Sequence, residues 1–72
     1  MNTRKTIGAM KRALGMIEQR HDLDARNVLL GNCPPVMSEL FMPMHAAECL
    51  LRGCRPDFVA AADTLKNALR NL

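Results

Sequence analysis

Apolar residues recur along this chain at helical intervals. Ile7, Met10, Leu14 and Ile17 follow one another by three, four and three positions, which draws one stripe along an α-helix. Thr6, Ala9, Ala13 and Met16 widen that stripe, and Arg4, Lys5, Lys11, Arg12 and Gln19 lie opposite it. The pattern predicts a first helix over about 3–20. It loses phase at His21-Asp22. Asp22 suits an N-cap, Leu23, Val28, Leu29 and Leu30 follow, and Gly31-Asn32 gives a stop, so a short second helix is expected over 23–30. One continuous helix through residue 30 is the alternative, but it places His21 and Asp24 on a heptad seam, where polar residues weaken a coiled coil.

Gly31-Asn32-Cys33-Pro34-Pro35 is the clearest break in the chain. Pro35 then suits the first turn of a helix. Val36, Leu40, Met44, Ala47 and Leu51 keep one phase across Pro43. That predicts a single helix over 35–52, bent near Pro43, which lacks the N–H that would bond the carbonyl of Glu39. Gly53 ends it. Pro56 opens a last helix with Asp57 in its first turn. There Phe58, Ala61, Ala62, Leu65, Leu69 and Leu72 share one face and Val59 widens it. A connection of about three residues makes the last two helices a hairpin. Period-two alternation never persists, and no repeat or low-complexity stretch interrupts the pattern. The expected fold is all-α: a small bundle of three to four helices, ending in a helical hairpin with a Pro-kinked third helix, as one domain over 1–72.

Size changes what this bundle needs. A chain of 72 residues buries about 60% of its unfolded surface, and a core of that size rarely contributes more than about 3–5 kcal/mol. Disulfides, a metal or a second chain commonly supply the rest. Three cysteines cannot all pair within one chain, which favours a reduced, cytoplasmic protein and leaves a second copy as the expected support. The residues expected in the core or the dimer contact are Ile7, Met10, Leu14, Ile17, Leu40, Met44, Leu51, Phe58, Leu65 and Leu69. No apolar run approaches the roughly 20 residues of a membrane span. The first residues are basic without an apolar segment after them, unlike a secretory signal, and lack the Ser enrichment of a transit peptide.

The net charge is +3, unevenly spread: +4 over residues 1–20, −2 over 21–54 and +1 over 55–72. A basic first helix invites an acidic partner, protein or nucleic acid, although a few Lys and Arg on a short helix are commonly just its solvated side. Gly8 and Gly15 fall on that side, seven apart. They read either as weak spots or as a place for close approach by a partner, and tolerated weakness is the plainer reading.

Four constellations bear on chemistry. Cys33, His45, Cys49 and Cys54 are all metal-ligand types, with His45 and Cys49 one helical turn apart, but Cys33 stands alone where zinc sites show close ligand pairs. Cys49 and His45 also form a possible nucleophile–base pair, without an evident third group or oxyanion loop. Gly8, Gly15, Gly31 and Gly53 form no phosphate-binding fingerprint. The hairpin around Gly53 has a superficial helix-turn-helix look, but Asp57, Ala60, Ala61 and Thr64 at the start of its second helix are poor readers of bases. Arg4, Lys5, Lys11 and Arg12 are better placed to meet phosphates, although no aromatic residue stands among them for stacking. Last, Met10, Met16, Met37, Met42 and Met44 with Leu40 and Phe41 make a soft surface able to re-pack around a partner.

No enzyme chemistry, cofactor or metal is expected. The expected role is a small regulatory protein, of inhibitor or anti-activator type, that forms a homodimer and occupies a surface of a target protein. Arg4, Lys11 and Arg12 steer the encounter, and Met37, Phe41 and Met42 anchor it. In size and make-up the chain resembles the short accessory regulators carried by phages and plasmids, though no motif carries that likeness. The alternative is a DNA-binding transcriptional regulator using the basic first helix.

Overall fold

A computed structural model describes residues 3–72. They form four α-helices and no strand: α1 over Thr3–Glu18, α2 over Asp22–Gly31, α3 over Phe41–Leu50 and α4 over Phe58–Arg70. The principal contacts run α1–α2, α2–α3, α3–α4 and α4–α1, closing a ring of neighbours around one core. The radius of gyration is 10.8 Å.

Helix α1 ends two residues before the expected stop because the backbone turns left-handed at Arg20, with φ 65°. The N–H of Arg20 bonds the Ile17 carbonyl at 3.0 Å and that of His21 the Met16 carbonyl at 2.8 Å. This is a Schellman pairing, with Arg in the place that glycine commonly takes. The Arg20 guanidinium lies 5.0 Å from the centre of the Phe58 ring, which ties this corner to the start of α4. Asp22 is the first residue of α2, not its cap; the N-cap is His21, which makes no side-chain bond there. Asp22 and Asp24 instead place negative charge in the first turn, where the helix dipole favours it. At the other end the Asn32 amide donates to the Val28 carbonyl at 2.8 Å.

The expected helix over 35–52 is shorter, and the difference has a local cause. The Ser38 N–H bonds the Pro35 carbonyl, the Phe41 N–H bonds the Ser38 carbonyl, and the Ser38 hydroxyl accepts from the Leu40 N–H at 3.2 Å. A serine that bonds its own backbone in this way competes with helix formation. Residues 36–40 therefore make turns, and α3 starts at Phe41 with Pro43 as its third residue. In that first turn a missing N–H forfeits no helical bond.

The hairpin connection is also longer than expected, spanning residues 51–57. Gly53 turns left-handed there, with φ 85°, and the Asp57 N–H closes the loop on the Leu50 carbonyl at 2.8 Å. Asp57 is the N-cap of α4, its carboxylate accepting from the Ala60 N–H at 2.9 Å, so Pro56 lies outside the helix.

The core takes Ala9, Met10, Ala13 and Ile17 from α1, Ala25 and Leu29 from α2, Met44 and Ala47 from α3, Ala61, Ala62 and Leu65 from α4, with Leu40 and Leu51 at the two ends of α3. Of the residues assigned to core or dimer contact, Met10, Ile17, Leu40, Met44, Leu51 and Leu65 are buried within one chain. Ile7, Leu14, Phe58 and Leu69 are partly buried against that core. In α1 the core side centres on the small residues, Ala9 and Ala13, because small side chains let helices approach closely; Ile7 and Leu14 fall to its flank.

Candidate functional site

Three segments converge at one end of the molecule: the start of α1, the turns over 36–40 and the end of α4. Thr3, Met37, Ser38, Glu39, Leu40 and Leu72 line a recess of about 300 Å³ there. A second recess of about 440 Å³ shares Glu39, Leu40 and Leu72 with it, and runs between α3 and α4 past Pro43, Thr64 and Ala68. Together they form one shallow groove of mixed lining, apolar at Leu40, Pro43, Ala68 and Leu72 and polar at Ser38, Glu39, Asn67 and Asn71. Met37 stands over it 95% exposed, and Leu72 is 60% exposed. Such a surface offers thioether and aliphatic contact at Met37, Leu40 and Leu72 beside the Glu39 carboxylate and the Asn67 and Asn71 amides.

The expected anchors are only partly brought together. Met37 lines the groove. Met42 is exposed on the first turn of α3, and Phe41 is half-buried with its ring stacked on His45, centroids 5.4 Å apart and planes 8° from parallel. Neither Phe41 nor Met42 lines the recesses. The expected steering residues Arg4, Lys11 and Arg12 are all exposed on α1. The first turn of α1 adjoins the groove segment, since Thr3 lines the recess with Met37 and Lys5 lines another with Cys33, Pro34 and Pro35. Arg4 sits between those two contacts, whereas Lys11 and Arg12 are two turns further along.

Two features were not foreseen. Leu23 and Leu30, 62% and 55% exposed, lie on the side of α2 away from buried Ala25 and Leu29, with exposed Asn27 between them. Their seven-residue spacing was the available signal. The second is a polar cluster between α2 and α3. Glu48 is only 3% exposed. Arg52 Nε and Nη2 both donate to Glu48 Oε1, at 2.9 and 2.7 Å, while Oε2 lies 2.7 Å from Arg52 Nε without hydrogen-bond alignment. The Arg52 bonds hold the Glu48 carboxyl below its ordinary 4.5; burial opposes them, and the Arg52 charge, the Cys49 thiol and the Arg26 charge assist. Arg26 Nε is buried without a hydrogen-bond partner. A Glu followed four residues later by Arg is a sequence signal for this pair.

The four metal-ligand types do not assemble: among the described residues no group of three or more His, Cys, Asp or Glu is placed to hold a metal ion. His45 and Cys49 do meet, Nε2 to Sγ at 3.7 Å. Cys33, Cys49 and Cys54 are free and exposed. Loss of water around the Cys33 sulfur, and then the negative charge of Glu48, push that thiol above its ordinary value. No helix among the described residues is long and apolar enough to cross a membrane. Compared with known protein families, curated proteins and solved structures, the chain matches none.

Proposed function

We propose that this chain is a small non-enzymatic regulatory protein that binds a target protein and blocks or modulates it. The observation that carries this reading is the groove under Met37, where a nearly bare methionine stands beside exposed Leu72 at the junction of three segments. Leaving such a side chain in water forgoes about 1.5–3 kcal/mol that burial against a partner recovers. The exposed basic residues at the start of α1 adjoin this groove and draw an acidic rim toward it. The matching target surface is a helix or strap that presents apolar side chains flanked by carboxylates.

The test compares the wild-type chain with Met37→Asp in affinity capture from the native host, followed by mass spectrometry. A protein retained by the wild type and lost with Met37→Asp, in equal salt, supports the reading. Identical captures overturn it.

A second reading rests on the exposed arc of Arg4, Lys5, Lys11 and Arg12, a stretch of α1 with no acidic residue before Glu18. It makes the protein a DNA-binding regulator. DNA affinity then falls steeply with salt, by about one counterion-release unit per phosphate contact, and Lys11→Glu with Arg12→Glu abolishes it. Absence of a DNA mobility shift at low salt removes that reading.

A further inference from the structure

We infer that Cys49 is the reactive thiol of this protein, a modification site at which His45 serves as base and low-molecular-weight disulfides are the substrates. Phe41, His45 and Cys49 stand at successive turns of one side of α3. The imidazole reaches the thiol at 3.7 Å, and the flat stack of Phe41 on His45 sets the ring's plane. A nucleophile, a base within reach and a third group that orients the base are the parts an activated thiol requires. Both His45 and Cys49 are exposed, so a small reagent reaches the sulfur.

The other groups facing Cys49 are Glu48 and Arg52; from α2, Arg26 faces Glu48. Glu48 is the rival partner for the thiol, which also bonds it, but two Arg52 bonds hold its carboxylate. A carboxylate held that way is a weak base. An imidazole within hydrogen-bond reach of a thiol is a competent general base.

With a proton on Nδ1, His45 Nε2 accepts the proton from Cys49 Sγ. The thiolate attacks one sulfur of the disulfide. A new sulfur–sulfur bond forms to Cys49 as the old one breaks, and the departing thiolate takes the proton from the imidazolium. Cys49 is oxidised to a mixed disulfide, and one half of the reagent is reduced to a free thiol.

Cys33 and Cys54 serve as internal standards. Neither shows a paired imidazole, and burial pushes the Cys33 thiol above its ordinary value. The full chain is treated with limiting oxidised glutathione near neutral pH, and each site is quantified by peptide mass spectrometry. A free thiol is only a few per cent ionised near pH 7, so an activated one gains about tenfold or more in rate. Cys49 is expected to react at least about tenfold faster than Cys54. His45→Gln brings Cys49 to within about twofold of Cys54, and Phe41→Leu falls between, with the Cys33 and Cys54 rates unchanged. Circular dichroism melts of the variants show whether the fold survives. If Cys49 of the wild type reacts no faster than Cys54, the inference fails without recourse to any variant. An undiminished Cys49 rate in His45→Gln also overturns it.

Discussion

Glu48 is the residue whose charge is most closely tied to the fold. Its carboxylate is buried and bound by Arg52, and its carboxyl is held below 4.5. A carboxyl whose folded value is lowered binds its proton more weakly in the native state than in the unfolded chain. Its contribution is complete above the unfolded value and is lost as pH falls through the folded one. The melting temperature should therefore hold from about pH 7 down to about pH 5 and decline below 4.5. In Glu48→Gln the plateau should be lower and the decline shallower, measured by circular dichroism melts across that range. A decline equally steep in the variant would show that other carboxylates carry it. The cost at neutral pH comes from the Arg52 and Arg26 charges losing their counter-ion beside a partly dry interface.

The elements show where the sequence was a good guide and where backbone chemistry outside the hydrophobic stripe decided. Four helices lie within the segments that apolar periodicity marks, α2 and α4 within about two residues, but α3 starts six residues late, leaving Val36 and Leu40 of its stripe in turns. The errors fall at caps. Arg20 turns left-handed where glycine is the ordinary signal, Ser38 bonds its own backbone, and Asp57 caps α4 and leaves Pro56 outside. None of these alters the hydrophobic pattern, so periodicity could not register them. The groove was half legible for the same reason: Met37 stood out as surplus to the stripe, but its pairing with Leu72 depends on turns that bring residues far apart in sequence together. Glycines give the element-scale prediction. A Cβ built at Gly15 meets nothing within 4 Å, and its backbone is helical, so Gly15→Ala should stabilise the fold by about 0.8–1 kcal/mol. At Gly53 the space is equally open but φ is +85°, so Gly53→Ala should destabilise by about 1 kcal/mol or more. Urea titrations of both variants read opposite signs from two equally uncrowded sites, and like signs would refute the conformational account. Should Gly15→Ala stabilise the chain yet weaken target capture, the smooth side of α1 belongs to the interface.

At the scale of the whole molecule, one chain closes its core and still leaves large apolar side chains exposed among the described residues: Met37 and Leu72 at the groove, Leu23 and Leu30 in a strip on α2, and Val36, Met42 and Val59 elsewhere. The strip is close to symmetric about Asn27, which makes it self-complementary. In an antiparallel pairing of two α2 helices, Leu23 of each copy meets Leu30 of the other, and the two Asn27 amides face each other across the axis. Antiparallel helices also set their dipoles against one another favourably. On the proposed reading, a second copy would take this strip and a target the groove. Four leucines covered at about 1.5–3 kcal/mol each give a gross gain of about 6–12 kcal/mol, against an association cost of about 4–15 kcal/mol. Their most favourable difference, about 8 kcal/mol, corresponds to dissociation at about micromolar concentration, so the dimer should be weak. Sedimentation velocity should show a concentration-dependent monomer–dimer equilibrium that changes little between low and high salt, because the contact is apolar. Leu23→Glu should give a folded monomer, since the residue lies outside the core and the substitution places two carboxylates against the partner's leucines. A wild-type chain that stays monomeric at about 100 μM would sink the pairing. A dimer undisturbed by Leu23→Glu but broken by Met37→Asp would instead place self-association in the groove, with target and second copy competing for it.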